Sequence, residues 1–178
     1  MGRQPEVAGD GGPGPAAAVA GPGRISRVQV VNAYVNAAAE VLAKETGRPV
    51  ERLPLALRQN PYTTEDVTAV VGISGGLAGS FFLSMGRGTA LGLVGAILGQ
   101  PLAELDELVQ SGVAELANVV AGRAGVALAE VGVTTTITPP LLLVGAGAQL
   151  SALEAQRLVV PLETGHGRIH VHLALRDG

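Results

Sequence analysis

Apolar positions follow a helical period in three stretches of the chain. In the first stretch they recur at steps of three and four residues: Val28, Val31, Val35, Ala38 and Leu42. This spacing is typical of an amphipathic helix, and Gly47 followed by Pro49 is a stop signal. The pattern predicts a first helix over residues 27–46.

The other two helical stretches lie in the middle of the chain. The second covers residues 87–99, with helical spacing that ends at a glycine: Leu91, Val94, Leu98 and Gly99. The third is the longest, because its apolar period continues from about 102 to 131 and stops at Gly132. We expect all three helices to bury one face against a common layer.

Strand signals fill the segments between and after the helices. Two β-branched and aromatic runs flank the glycine-rich "SGGLAG" and predict a hairpin of strands at 66–74 and 78–85. A short edge strand is expected near 53–59, in a segment broken by prolines. Further along, "VTTTITPPLLLVGAGAQL" predicts a strand, a Pro-Pro break and a second strand.

The chain closes with two more strands around the turn "ETGHG". In the last strand, alternation places four apolar residues on one face: Ile169, Val171, Leu173 and Leu175. Runs of strands alternate with runs of helices, so the predicted fold class is α+β, an antiparallel β-sheet packed against long α-helices.

The organisation predicted is one domain over 27–178, preceded by a tail. Residues 1–26 are rich in Gly, Pro and Ala and offer little surface worth burying, so we expect them to be disordered. The tail lacks a cationic start and a leucine-rich stretch, so it does not resemble a signal peptide. No uncharged apolar run of spanning length occurs after it, and a membrane-spanning helix is not expected.

Composition and charge exclude several function classes. The chain of 178 residues has no Cys, which excludes a disulfide framework, a thiolate nucleophile and a zinc ribbon, and suits the reducing cytoplasm. The net charge is −3 and the 12 Lys and Arg residues are dispersed. Because binding to phosphate backbones needs a cationic stripe, a nucleic-acid partner is not expected.

The third predicted helix has two faces of different character. At about 100° per residue, one side is apolar: Leu105, Val109, Val113, Leu116, Val120, Ala124, Ala127 and Val131. The opposite side, within an arc of roughly 80°, is polar or small: Glu104, Glu107, Ser111, Glu115, Asn118 and Gly122. Glu115 and Asn118 therefore lie side by side, three residues apart.

Two interpretations of this pair are open. In the first, Glu115 and Asn118 simply belong to the solvated face of an amphipathic helix. In the second they are chemical groups, because Asn is a mediocre residue inside a helix and an amide can both donate to and accept from a water molecule. A neighbouring carboxylate can bind a Lys or Arg of a partner. Small residues around the pair would let another protein approach closely: Ala114, Ala117, Ala121 and Gly122.

Four segments of the chain together resemble the chemotaxis phosphatases of the CheC, CheX and FliY family. The segments are "PYTTEDVTAVVGISGGLAGSFFLSM" at 61–85, "ELANVVAG" at 115–122, "ITPPLLLVGAG" at 137–147 and "LVVPLETGHGRIHVHLAL" at 158–175. The resemblance covers about residues 27–176. It implies that the chain hydrolyses the aspartyl phosphate of the receiver protein CheY, with Asn118 positioning the attacking water and Glu115 pairing with a receiver lysine.

The number of Glu-x-x-Asn motifs refines the resemblance. The first helix has no Glu three residues ahead of an Asn, so the chain carries one motif. One motif is similar to CheX, whose members act as homodimers, rather than to the two-site CheC. The resemblance implies no cofactor of the chain's own, since Mg²⁺ is expected on the receiver.

Other interpretations remain at this stage. A module that binds receivers without accelerating hydrolysis, or a dimerisation domain in which the Glu-Asn pair is a coincidence, would have the same sequence pattern.

His166, His170 and His172 are close in sequence, and we favour an exposed strand face over a metal site because a fitting third ligand is missing. Glu65 and Asp66 are interpreted as turn residues.

Overall fold

The structure is a computed structural model that describes residues 25–58, 62–151 and 156–176. The described residues form three helices: α1 (Arg27–Thr46), α2 (Arg87–Leu98) and α3 (Glu107–Glu130). The strands before α2 are β1 (Glu51–Arg52), β2 (Ala56–Arg58), β3 (Tyr62–Thr63), β4 (Val67–Gly75) and β5 (Gly79–Met85). Those after α3 are β6 (Thr135–Ile137), β7 (Leu141–Val144), β8 (Gln149–Leu150), β9 (Arg157–Thr164) and β10 (Gly167–Leu175).

The strands of the main sheet are antiparallel and follow the order β1-β9-β10-β5-β4-β6. In addition, β2 pairs with β9 and β7 pairs with β4. The two central hairpins, β4-β5 and β9-β10, are the ones that the sequence predicts. The short strands β3 and β8 form a separate pair. The α+β class with an antiparallel sheet against long helices is confirmed.

One face of the sheet packs against the helices. Alternate residues of the central strands are buried there, which places the whole predicted face of β10 in the core: Ile169, Val171, Leu173 and Leu175. From the helix side, α1 contributes Tyr34, Val35 and Leu42, which are fully buried. Burial of apolar surface between these two layers is the main stabilising contribution to the fold.

Helix α1 has the predicted bounds, and capping explains them. The Ser26 side chain accepts a hydrogen bond from the Gln29 backbone N–H, and the Gln29 side chain accepts one from the Ser26 backbone, which forms a capping box. The helix ends at Gly47 in the left-handed conformation, with φ of 65°. Of the residues assigned to the predicted tail, Ile25 packs against the core and Ser26 caps α1. Residues 1–24 lie outside the described residues.

Helix α3 is shorter than predicted at its N-terminus. It begins after Asp106, whose carboxylate accepts a hydrogen bond from the Val109 N–H at 3.1 Å, and residues 102–106 lead into it as irregular chain. An acidic N-cap satisfies a free helical donor and is favoured by the helix dipole, so the helix starts there. Glu104 and Leu105, assigned to the helical faces from sequence, precede the helix.

The C-terminal turn of α3 also differs from the prediction. Ala127 and Val131, expected on the core face, are exposed. The chain reverses at Gly132, which has a φ of 86°, and the Val133 N–H donates to the Leu128 carbonyl at 2.9 Å. The reversal brings Val133, instead of Val131, into the core.

Pro54 explains why the predicted edge strand near 53–59 is divided. The chain pairs with β9 on both sides of the proline, as β1 and β2, and the Leu53 N–H between them donates to the Pro161 carbonyl at 2.9 Å. Proline lacks a backbone donor and interrupts a ladder. Residue 59 lies outside the described residues.

Among the described helices, α3 is long and apolar enough to cross a membrane by length and composition, with a mean hydropathy of 1.2 over 18 residues. Its apolar character has a structural reason in this fold. Its buried face lies in the domain core, with these residues covered: Val109, Val113, Leu116, Ala117, Val120, Ala121, Ala124 and Leu128.

Candidate functional site

The side chains of Glu115 and Asn118 are at the surface of α3. Glu115 is exposed and Asn118 is half-buried, while Leu116 and Ala117 between them point into the core. Within the described part of the chain, neither polar side chain makes a hydrogen bond or an ion pair. The predicted pair therefore lies side by side with its polar atoms available to a partner.

Both side chains face an open cleft of about 520 Å³. One wall is α3 itself, with Ser111, Ala114, Glu115 and Asn118. The opposite wall is the segment 137–140, which connects β6 to β7. Sequence reasoning identified the α3 side of the cleft and missed this second wall.

The second wall is fixed to the sheet by a close contact. The Thr138 hydroxyl accepts a hydrogen bond from the Gly72 N–H at 2.9 Å, and the Thr138 N–H donates to the Gly72 carbonyl at 3.0 Å. A Cβ atom on Gly72 would lie 3.0 Å from the Thr138 Cγ2, so the absence of a side chain permits this approach. The following residues, Pro139 and Pro140, restrict the backbone further. The wall is thus a rigid extension of β4.

The small residues around the pair form a narrower bare surface than the sequence suggests. Ala117 and Ala121 are buried in the core, so they do not contribute to it. Ala114 is half-buried and lines the cleft. Gly122 is exposed, and a Cβ atom added to it would lie more than 4 Å from every other part of the described protein beyond the helix's own backbone and its two chain neighbours. The open surface for a partner is therefore the strip from Ala114 to Gly122.

The chemistry of the cleft is that of hydrogen bonding and one negative charge. Its polar side chains are Ser111, Glu115, Asn118 and Thr138, and no Lys, Arg or His lines it among the described residues. The described residues contain no group of three His, Cys, Asp or Glu side chains suited to a metal ion. The cleft can orient a water molecule and bind a cationic side chain, and a partner would supply any electrophile.

The three histidines do not share one environment. His172 is buried on the sheet face away from the helices, and its Nδ1 accepts a hydrogen bond from the Arg157 Nη1 at 2.6 Å. His170 pairs with Glu65, Nδ1 to Oε2 at 3.0 Å, and His166 lies in the β9-β10 turn. The predicted exposed strand face is wrong for His172, because Tyr62 packs against its ring in a tilted arrangement with centroids 4.5 Å apart.

Burial and charge keep His172 neutral. Burial first, and then the nearby Arg157 and His170, lower the pKa of His172 to about 3. Because a guanidinium can only donate, Nδ1 is the unprotonated nitrogen and Nε2 carries the hydrogen. His172 is therefore a packed structural residue at neutral pH.

The acidic residues before β4 have specific partners beyond a turn role. The Asp66 carboxylate accepts a hydrogen bond from the Arg87 N–H at 2.7 Å, at the first turn of α2. Glu65 holds His170. Arg123 of α3 is exposed.

Comparison with known proteins decides the family. The family model described as chemotaxis phosphatase CheX matches residues 67–163, more than half of the chain. The chain belongs to the CheX family. The matched range contains both walls of the cleft, and the resemblance predicted from the sequence is confirmed.

Individual relatives agree with this assignment. The chain is 29% identical over 153 residues to the CheY-P phosphatase CheX of Thermotoga maritima, covering 84% of this chain and 97% of that protein. The crystal structure of CheX from Desulfovibrio desulfuricans superposes with a TM-score of 0.76 at 27% identity, covering 83% of this chain and 99% of the other.

A third relative is a CheX-CheY-BeF3-Mg²⁺ complex from Borrelia burgdorferi. It superposes with a TM-score of 0.73 at 24% identity and covers 85% of this chain and 100% of that chain. At this identity the comparison shows the shared fold.

Proposed function

We propose that this chain is a phosphatase that hydrolyses the aspartyl phosphate of a CheY-like receiver in chemotaxis or related two-component signalling. Family membership and the name of the Thermotoga maritima relative, CheY-P phosphatase, support the activity. The observation that carries the proposal for this chain is the pair Glu115 and Asn118, which faces an open cleft and has no side-chain partner among the described residues. A cysteine-free chain suits the cytoplasm, which is the proposed compartment.

Asn118 is the proposed positioning group for the attacking water. Its amide can donate to and accept from one water molecule at once, which fixes where the water's lone pair points. Phosphoryl transfer depends mainly on positioning and on charge stabilisation, and the receiver supplies its own Mg²⁺ and phosphoryl group. Orienting the water for a hundredfold acceleration corresponds to about 2.7 kcal/mol of the barrier, within reach of positioning alone.

Glu115 is the proposed anchor for a lysine of the receiver. It is exposed and has no partner within the described chain, so it can approach a cation without breaking an internal contact. A charge-assisted hydrogen bond beside the phosphoryl site would fix the orientation of the two proteins.

The test is to mix the chain with phosphorylated receivers from the same cell and to follow phosphate release. For Asn118→Ala we expect kcat to fall about a hundredfold, because water positioning is lost, with binding to the receiver retained. Asn36→Ala is the matched control, since Asn36 is an exposed asparagine on α1 outside the cleft. A wild-type rate for Asn118→Ala would reject the role of Asn118, and a wild-type chain that binds receivers without accelerating hydrolysis would be a receiver-binding module.

The same assay separates the role of Glu115. Glu115→Lys should weaken binding to the receiver, because it places a cation against the receiver's lysine. Glu130→Lys, at the exposed end of α3, is the control for the change in net charge. Slower hydrolysis with unaltered complex formation in Glu115→Lys would contradict the anchoring role.

A further inference from the structure

An apolar groove of about 460 Å³ lies beside the cleft, between α1, α2 and α3. We call it the helix groove. Its floor consists of buried side chains: Val41, Val94 and Leu116. Its walls are large apolar side chains that are unusually exposed: Leu98 at 45%, Leu108 at 46% and Val119 at 36%. Apolar side chains clustered in a concave surface are typical of a protein-binding site.

The helix groove is continuous with the candidate catalytic cleft. Ser111 and Glu115 line both of them. On α3, Leu108 and Val119 are rotated from Glu115 by only about 20° and 40°, because successive residues turn by about 100°. A partner that docks on Glu115 and Asn118 therefore also covers the groove.

The charge around the groove selects the kind of partner. Glu45 on α1 and Glu115 on α3 line it, both are exposed, and none of the described lining residues is Lys, Arg or His. Acidic groups on two sides of an apolar surface complement an apolar side chain with a basic residue next to it. They oppose a second copy of this chain, which would bring the same acidic residues to the contact.

We propose that the receiver inserts an apolar side chain, flanked by a Lys or Arg, into the helix groove while its phosphorylated aspartate faces Asn118. The inference rests on the proposed function and adds a second contact that determines which receivers bind. Binding energy at protein interfaces is concentrated in a few apolar side chains that fill pockets, with charged groups around them. Receivers that lack the apolar side chain at this place are poor substrates.

The test uses the full chain and the receiver whose dephosphorylation it accelerates most. We expect Leu108→Ser and Leu98→Ser each to raise KM about five- to tenfold with kcat unchanged, because each removes one wall of the groove. Affinity for the same receiver held with beryllofluoride and Mg²⁺ should fall by the same factor. Val126→Ser is the matched control, since Val126 is exposed on the same side of α3, two turns beyond the groove.

Glu45→Lys is a second, independent variant, because it changes the charge of the groove and removes no apolar surface. We expect it to raise KM and to leave kcat unchanged. Thermal melting of every variant should match that of Val126→Ser, since all of the substituted side chains are at the surface. A loss of affinity at Leu108, Leu98 and Glu45 without a change at Val126 supports the proposal.

Other outcomes would overturn the inference and are distinguishable from failure of the proposed function. Wild-type KM in all three groove variants, with Asn118→Ala inactive, rejects the groove and retains the phosphatase. A shift from dimer to monomer in Leu108→Ser without loss of receiver affinity assigns the groove to a second copy. Hydrogen-exchange protection of the groove that disappears on deleting residues 1–24 assigns it to the tail. A wild-type chain that accelerates no receiver rejects both proposals.

Discussion

Asn118 occupies a position where most residues would make a more stable helix. Asn has a lower helix propensity than Ala, and here it gains no hydrogen bond from the described chain in return. Its neighbour on the same stripe, Glu115, is equally unpaired within the described residues. Local stability does not explain the asparagine, which is expected where a side chain serves a partner instead of the fold.

His172 shows the opposite relation between a polar side chain and the fold. It is buried, accepts a hydrogen bond from Arg157 and packs against the Tyr62 ring. Tyr62 in turn contacts the Ser84 hydroxyl, and the Thr68 hydroxyl is 2.8 Å from the Ser84 oxygen. This polar cluster joins the outer face of the sheet to the segment around β3. The protonation state of His172 therefore affects the stability of the fold.

The lowered pKa of His172 predicts acid sensitivity. In the unfolded chain this histidine takes up a proton as the pH falls through about 6.5, whereas in the folded chain it stays neutral down to about 3. The free energy of unfolding should therefore decrease as the pH falls between these values, by at most about 1.4 kcal/mol per pH unit from this residue. Urea denaturation at pH 7, 6, 5 and 4 measures the slope.

The variant His172→Gln isolates this contribution. Glutamine retains an acceptor for Arg157 and does not titrate. The free energy of unfolding of the variant should therefore depend less on pH than that of the wild type, because unfolding of the variant takes up fewer protons, by at most one. Carboxylates affect wild type and variant alike and cancel in the difference. Identical slopes for the two chains between pH 6 and pH 4 would show that His172 takes up its proton in the folded state as readily as in the unfolded one.

At the level of the secondary-structure elements, two glycines of α3 differ in how closely the rest of the protein approaches the helix. A Cβ on Gly112 would lie 2.7 Å from the Val94 Cγ1, so α2 and α3 touch there through the glycine. At Gly122 on the same helix no other described element comes within 4 Å of an added Cβ. The same substitution should therefore have opposite effects at these two positions.

Gly112→Ala should destabilise the fold by about 1–3 kcal/mol, because a branched, stiff valine has little freedom to move away. Gly122→Ala should stabilise it by about 0.5–1 kcal/mol, through helix propensity and a less flexible unfolded chain. The two midpoints of urea denaturation measure the difference. Destabilisation by Gly122→Ala would mean that this face of α3 is covered in solution.

Local patterns determine how far the elements are predictable from the sequence. The bounds of α1 and the central hairpins follow from periodicity, capping residues and turn glycines that lie close together in the chain. The predicted start of α3 is too early although Asp106 is a typical N-cap, because the apolar period extends upstream through Leu105. The second wall of the cleft was not predictable, because Thr138 reaches Gly72 only through the pairing of β6 and β7 with β4.

On the scale of the whole molecule, the main sheet has two edges with exposed apolar residues. Leu141 and Val144 of β7 lie at one edge, and Leu55 and Leu57 lie at or beside β2 at the other. Unpaired edges with apolar side chains are prone to pair with another chain. The homodimer implied by the family resemblance remains a prediction, and these edges are where it would form.

We expect sedimentation analysis to give twice the mass of the chain. The strand β7 has four residues and β2 has three, so we place the contact at β7, and Leu141→Lys should shift the equilibrium to the monomer through charge repulsion at a paired edge. Leu57→Lys at the opposite edge is the control. A monomeric wild-type chain would contradict the prediction. Dissociation by Leu57→Lys alone would show that the dimer contact lies at β2.

The two hydrogen bonds between Gly72 and Thr138 have a consequence for how the partner preference of such a phosphatase could change in evolution. One wall of the cleft is attached to the sheet and the other is α3. The width of the cleft is therefore set by the spacing between the sheet and the helix layer. Three small residues of α3 are buried in the core that the helices share with the sheet, Ala117, Ala121 and Ala124, and larger side chains there would widen that spacing. Selection for a different phosphorylated partner could therefore act on buried side chains that do not contact the partner. Larger or smaller side chains at these positions would increase or decrease the distance between the two layers.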